Sequence, residues 1–285
     1  MTTLLIGLSL GMLLLLLSAG LSLIFGMLGV VNFAHGGFYM LGAYMGFQIA
    51  QWTGNFWLAL VISPLVIAAA GAAVEVLTLR PLYGRDPVYQ MLLTFGIVLL
   101  IYEATRTLWG LEYHSIAAPP VLAAAVHMGS IEISAYRLFI IGFGALVAAA
   151  LFVVLERTPM GVLIRAASAN SAMVACLGVD VAKLRTGVFA FGTGLAALGG
   201  VIAAPISPIQ LEMGFAILID CFMVVVIGGL GNIRGAVAGA LLIGLIRAFG
   251  ARYLAQWIDV LTYSVFVLVL LTRPRGLFAT AERHA

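Results

Sequence analysis

The sequence predicts an all-α, polytopic helical membrane protein of about eight to nine transmembrane segments, with discontinuous helices at its glycine-rich motifs. Three observations carry that expectation. Hydrophobic residues fill 64% of the 285 positions and charged residues only 9%, where a soluble domain carries about 25% charged residues. The chain therefore lacks the polar surface to cover itself in water. Its apolar residues fall into long runs with short loops between them, and its cations gather in a few of those loops. Residues 1–285 read as a single domain, with no polar stretch, linker or low-complexity tail that would set off a soluble one.

The runs lie at about 3–28, 37–51, 56–79, 91–109, 136–155, 186–204, 214–230, 235–250 and 257–272. The first, opening MTTLLIGLSLGMLLLLLSAG, lacks a basic leader region and an obvious small-x-small cleavage site before the run continues, so a retained span is expected. As one helix, residues 3–34 would be about 48 Å long against a hydrocarbon core of about 30 Å. Either that helix tilts steeply or it breaks near Gly26, Gly29 and the NFAHGG stretch. A break exposed to lipid would strand backbone amides and carbonyls, so it must face protein or a wet cavity.

Arg80 and Arg85 follow the third run; Arg157, Arg165, Lys183 and Arg185 lie between the fifth and sixth; Arg273, Arg275 and Arg283 close the chain. The positive-inside rule places these three segments, and so the C-terminus, in the cytoplasm. The opposite loops carry Glu112, Pro119, Pro120, Glu132 and Glu212, with Arg247 and Arg252 as exceptions on that outer side. Trp52, Trp57, Trp109 and Trp257 sit near predicted span ends, where interfacial tryptophans concentrate. Gly7–Gly11, Gly42–Gly46 and Gly235–Gly239 are GxxxG pairs, which let helices approach closely in a bilayer.

Two glycine-rich clusters stand out, GVVNFAHGGFYM at 29–40 and VVVIGGLGNIRGAVAGALLIG at 224–244. Asn32, His35, Gly36 and Gly42 of the first answer to Asn232, Arg234, Gly235 and Gly239 of the second. Interrupted helices in repeated halves mark the substrate path of many transporters. Asn32, His35, Gly36 and Gly37, with Gly228, Gly229, Gly231, Asn232 and Gly235, are therefore the candidate broken-helix elements of a translocation path. Two roles are open to Asn32 and His35. They can complete the backbone hydrogen bonds of the break, as a helix cap and as a partner to a carbonyl on another helix. Alternatively, they and the exposed amides can meet a solute carboxylate. Asp220 is the most isolated intramembrane charge, and either marks the path or forms a hydrogen bond or ion pair between helices. Glu103 and Arg106 are spaced for a local pair, Glu75 can reach Arg80 or headgroups, and Cys176 and Cys221 read as small buried residues.

The segment 157–187 reads as a short amphipathic helix with Met160, Leu163, Ile164, Ala167, Val174 and Leu177 on one face and Arg165, Ser168, Asn170 and Ser171 on another. Gly178 supplies its stop. It either lies on the membrane surface or docks on a cytoplasmic partner, and its Ala/Ser content suits a protein groove. Several chemistries are excluded. The single lysine, Lys183, is not part of a GK[ST] phosphate loop. The four histidines are scattered with no HExxH or Cys/His ligand spacing, and GxSxG is absent. No catalytic residue, no metal and no enzyme activity are expected, and a scattered net charge of +3 gives no reason to expect nucleic acid.

GMLGVVNFAHGGFYMLGAYMG, VEVLTLRPLYGR, RTPMGVLIRAASANSAMVACLGVD, VVIGGLGNIRGAVAGALLIG and LLTRPRGLF occur here in that order. Over nearly the whole chain they resemble the permease subunits of branched-chain amino acid ABC importers, more closely the LivH-type than the LivM-type. The resemblance implies a bacterial inner-membrane heterodimer with a LivM-like permease, two cytoplasmic ABC ATPases and a periplasmic solute-binding protein. ATP and Mg would bind to the ATPases, leaving no cofactor in this chain. It also implies that the loop at about 157–186 carries the coupling helix, with Gly161, Arg165, Ala166, Ala167, Ser168, Asn170 and Gly178 as candidate ATPase contacts. Of the EAA-type signature of such loops, only Ala166, Ala167 and Gly178 are present, and Arg165 stands where an acid is usual. The implied substrate is a branched-chain amino acid; urea, short amides and aromatic acids are the alternatives within the superfamily. A channel or secondary carrier is a more distant alternative, and neither cluster contains NPA.

Overall fold

A computed structural model of the chain describes residues 1–128, 131–273 and 276–277. Arg275, Arg283 and His284 of the closing basic segment lie outside the described residues. Helix α1 (Thr2–Leu28) resolves the length problem of the first run by stopping. Gly29 takes φ 71° and its N–H donates to the Phe25 carbonyl at 2.8 Å, a left-handed cap that glycine enters without steric cost. The chain restarts as α2 (His35–Thr53). The restart is deep: the His35 Nε2 lies 2.9 Å from the carbonyl of Leu17, near the middle of α1. Residues 29–34 therefore climb back beside α1 over about 16 Å, the length of its last eleven residues, which six extended residues can span.

The remaining helices follow with short connections. Asn55 caps α3 (Phe56–Val74), its Oδ1 accepting from the Trp57 N–H at 2.8 Å. That helix continues through a π turn at Glu75–Leu79 and a tight turn at Arg80–Leu82. Asp86 caps α4 (Pro87–Trp109), where Pro87 occupies the first turn that needs no N–H. A small antiparallel hairpin, β1 (Ala125–Met128) with β2 (Ile131–Ser134), departs from the all-α expectation before α5 (Ala135–Arg157). The basic loop forms α6 (Pro159–Ala169) and α7 (Ser171–Cys176), and Asp180 caps α8 (Val181–Ala203). Then come α9 (Met213–Gly228), α10 (Ile233–Tyr253) and α11 (Ile258–Thr272).

Among the described residues, seven helices are long and apolar enough to cross a membrane. The expected runs at 37–51 and 214–230 became α2 and α9. At 16 residues, α9 spans about 24 Å, short of a full crossing. α2 is shielded instead of lipid-facing, with most of its residues from His35 to Tyr44 buried against α8, α3, α4 and α9. The buried axis of the bundle is α1 with α8, while α5 and α11 are mostly exposed at its edge.

The three GxxxG pairs are packing seams. Gly7 and Gly11 face Leu245 and Leu241 of α10, Gly42 and Gly46 face Ala197 and Val201 of α8, and Gly235 and Gly239 lie on the backbone of α9 at Gly228 and Val224. One reading from the sequence fails: Cys221 is buried, but Cys176 ends α7 in an exposed position.

Candidate translocation and coupling site

The first break satisfies its own backbone with side chains. Asn32 Oδ1 accepts from the Ala34 N–H at 3.1 Å, and the Asn32 carbonyl accepts from the His35 N–H at 3.2 Å. The Phe33 N–H donates to Thr94 Oγ1 on α4 at 3.2 Å. Amides that hydrocarbon could not serve are thus met inside the bundle. His35 is buried, and its Nε2–H donates to the Leu17 carbonyl, which fixes Nδ1 as the acceptor nitrogen. That Nδ1 and the Asn32 Nδ2 are buried without a hydrogen-bond partner. Gly36 crosses Gly214 at the start of α9 with backbones in contact, so a Cβ on Gly36 would collide with the Gly214 carbonyl. Gly37 packs on Val98 and Ile101 of α4.

The second break is built from Gly229 at φ 102° and Gly231 at φ 78°. Asn232 then caps α10, its Oδ1 accepting from the Gly235 N–H at 3.2 Å. The two asparagines therefore do related but different work: Asn32 reaches two residues ahead in a turn, Asn232 three residues ahead as a helix cap. Gly228 and Gly235 are in backbone contact across the break, and Gly231 abuts Gly26 near the end of α1. Arg234 pairs with Glu156 of α5 at 3.2 Å and lies over the Phe152 ring. Asp220, farther along α9, pairs with Arg247 of α10 at 2.6 Å, and Asp259 of α11 is 3.9 Å from the same guanidinium. The isolated intramembrane acid and one of the two outer-side arginines of the sequence are thus partners.

The basic loop is two helices, where one was expected. Asn170 ends α6 and caps α7, its Oδ1 accepting from the Met173 N–H at 2.9 Å, and Gly178 at φ 84° closes the pair. An asparagine that caps a new helix ends the old one, so the face predicted to run from Met160 to Leu177 is divided; both of these residues are exposed while Ala167 and Val174 are buried. Three contacts strap α6 to the bundle. The Arg165 guanidinium donates to the Leu155 carbonyl, Gly161 lies against the backbone of Leu155, and Ser168 Oγ sits 3.9 Å from Met27 Sδ at the end of α1. Ala166 lies on the half-buried side of α6 beside Ala167.

A cavity of about 940 Å³ opens where α1, α5, α6 and the second break meet. It brings together Arg165 and Ser168 of the loop with Gly229, Gly231 and Asn232 of the break. Asn32, His35, Gly36, Gly37 and Asp220 do not line it.

One cluster went unread in the sequence beyond a Glu75–Arg80 pairing. The Glu75 side chain is 0% exposed, lies 3.5 Å from Arg80, and accepts from Tyr83 Oη at 2.7 Å and Thr186 Oγ1 at 2.6 Å. Arg80 also donates to Thr186 Oγ1 at 2.6 Å, and Arg185 lies over the Tyr83 ring. Burial, reinforced by the Glu75 carboxylate, pushes the Tyr83 phenol well above its usual range. The cluster ties the π turn of α3 to the start of α8, directly after the basic loop. Thr186 is distant in sequence from Glu75, and a lone threonine in an apolar helix gave no signal.

The family model described as "Branched-chain amino acid transport system / permease component" matches residues 3–270. The high-affinity branched-chain amino acid transport system permease protein BraD of Pseudomonas aeruginosa is 29% identical over 97% of this chain and 94% of its own. LivH, the corresponding permease protein of Escherichia coli K12, is 27% identical over 97% of this chain and 94% of its own. LivM of Salmonella typhimurium is 26% identical over 93% of this chain and 68% of its own. No solved structure matches the chain.

Proposed function

The chain belongs to the family of permease components of branched-chain amino acid transport systems, and from that premise we propose that it is one transmembrane subunit of a binding-protein-dependent ABC importer for branched-chain amino acids. The observation that carries the proposal is the family match across nearly the whole length, with LivH- and BraD-like relatives aligned end to end. The partners are a LivM-like permease, two ATPases that bind ATP and Mg, and a periplasmic solute-binding protein. Similarity to LivM itself supports pairing of two related permeases. The setting is the bacterial inner membrane, with the end that carries Arg157, Arg165, Lys183 and Arg185 in the cytoplasm.

In this reading α6 and α7 receive the motion of the ATPases. Arg165 and Gly161 fix α6 to the end of α5, and Ser168 touches the end of α1. A displacement of α6 therefore bears on the α1 terminus, where Gly26 meets Gly231 of the second break. The breaks provide backbone freedom, and alternating access follows if the solute binds the outward and inward arrangements differently.

The test is ATP hydrolysis by the complete complex in proteoliposomes, with and without the partner binding protein and leucine. Stimulation by liganded binding protein is the expected result. Hydrolysis stimulated by a binding protein loaded with urea, a short amide or an aromatic acid, but indifferent to leucine, would replace the substrate. Failure of any ATPase to co-purify with the chain would overturn the importer.

A further inference from the structure

We propose that the cavity at the basic end of the bundle is a holding site for an aliphatic α-amino acid in its zwitterionic form. The inference rests on the importer reading and adds a site to it. Its walls differ in chemistry. Leu23, Phe152, Leu155, Ile164 and Leu230 supply an apolar side, and Ser22, Glu156, Arg165, Asn232 and Arg234 a polar one. A volume of about 940 Å³ is ample for a free amino acid with accompanying water.

The polar side is arranged for a carboxylate. The ladder of α10 begins at the Ala236 N–H, which reaches the Asn232 carbonyl, so the amides of Ile233 and Arg234 precede it at the positive end of the helix dipole. Helix starts of this kind bind anions. A second observation is independent of the helix. Ser22, on α1, lines the same cavity with a fully buried hydroxyl that has no hydrogen-bond partner. A buried hydroxyl left unpaired is costly, and an oxygen acceptor in the cavity would satisfy it. Arg165 adds charge. Among the described residues its guanidinium meets a backbone carbonyl and no carboxylate, whereas Arg234 is already paired with Glu156. The lining thus holds two arginines and one glutamate, a surplus of one positive charge. Glu156, whose Oε1 holds Arg234, offers its other oxygen to the ammonium, and the leucine-rich wall is the group for the side chain. The substrate would rest here after crossing, between the second break and α6.

The test uses the complete, nucleotide-free complex in nanodiscs without binding protein, with tritiated leucine followed by scintillation proximity. Saturable binding is expected, with isoleucine and valine competing. Leucinamide, which lacks the carboxylate, and 4-methylpentanoate, which lacks the ammonium, should each compete about tenfold less well or worse, as loss of one charge-assisted hydrogen bond implies. Arg165→Ala and Ser22→Val should weaken leucine binding, and Arg165→Lys should restore part of it. Equal competition by leucinamide would overturn the proposal, and so would wild-type affinity in both variants. Displacement of leucine by phosphatidylglycerol in the nanodisc would mark a lipid site instead and overturn it too. The competition series needs no variant, so a misfolded Arg165→Ala does not blunt it. The same preparations are assayed for ATP hydrolysis with liganded binding protein. Stimulated hydrolysis without saturable binding would reject this site and leave the importer standing; absence of both would reject both.

Discussion

The Asp220–Arg247 pair gives the sharpest test of how this bundle tolerates charge. The oxygen and nitrogen are 2.6 Å apart, and the side chains are 9% and 29% exposed. Asp259 lies 3.9 Å from the same guanidinium but is 66% exposed. The two ends of the pair are therefore not equivalent. Arg247→Leu leaves Asp220 as a desolvated carboxylate with no cation, which should cost about 3–5 kcal/mol. Asp220→Asn keeps an oxygen acceptor and leaves Arg247 its second carboxylate, so about 1–2 kcal/mol is expected. Replacing both by leucine removes the stranded charge and should fall within about 1 kcal/mol of the parent. Unfolding by titration with sodium dodecyl sulfate in bicelles, followed by the fluorescence of the four tryptophans, reads all three. The reasoning is refuted if Arg247→Leu costs no more than Asp220→Asn, or if the double variant costs the sum of the singles. Uptake measured alongside separates roles: a stable double variant that no longer transports would place the pair in the path.

Other expectations follow from single contacts. Asn32→Leu removes the acceptor of the Ala34 N–H, at about 1 kcal/mol, and should reduce uptake by the reconstituted complex more than its assembly; equal losses would assign Asn32 to folding alone. Gly36→Ala drives a methyl into the Gly214 carbonyl and should abolish folded yield, while Gly96→Ala, which has open space, should be silent in the same size-exclusion assay. Thr186→Val leaves the buried Glu75 short of a donor and should cost about 1–3 kcal/mol in the detergent titration. The Lys183 N–H and ammonium hold the Asp180 carboxyl below its usual range, so the cap it gives α8 is complete above the ordinary aspartate range and lost as pH falls through that lowered value. The protection of the Lys183 amide, taken relative to its intrinsic exchange rate at each pH, should fall in that acid window, and Asp180→Ala should remove this pH dependence of the protection.

What the sequence made legible is what depends on neighbours along the chain. The spans and the break near Gly29 are written in runs a few residues long. The GxxxG pairs announced close approach but not the partner, since nothing local says that Gly7 will meet Leu245. Pairings across the fold were hidden for the same reason. Asp220 found Arg247, Glu75 found Thr186, and Arg234 found Glu156 through helix adjacency alone. The split of the basic loop has a local signal of its own: Asn170 followed by Ser171 is a helix start, and it outcompetes the apolar spacing that runs through it. Of the proposed site residues, Arg165 and Ser168 of the loop and Gly229, Gly231 and Asn232 of the second break line one cavity, and the first-break set lies deeper in the bundle, against α1, α4 and α9.

The same glycines that allow packing also set how the elements can move. Against α10, α1 presents Gly7 and Gly11, with Gly26 against the turn that leads into α10, and between them Leu14 and Leu15 share a cluster with Ala240 and Ile243. The glycine contacts have good dispersion but few interlocking side chains. Ridges of leucine resist sliding because each must leave its groove; smooth surfaces can shear by small steps while staying in contact. The seam ends where α6 touches Met27, and where Gly231 changes direction with a φ that other residues rarely adopt. The opposite end is pinned: Arg252 bonds Thr3 at 2.9 Å, and Arg247 holds α9 to α10. Both ends of the bundle are fastened, but differently: at the Arg247 and Arg252 end α9, α10 and α1 are tied to one another, whereas at the other end the Arg234–Glu156 pair ties α10 to α5 and leaves the contact of Gly26 with Gly231 as the join between α1 and the second break. In the proposed importer that glycine join lies at the end where the ATPases act and where the cavity lies.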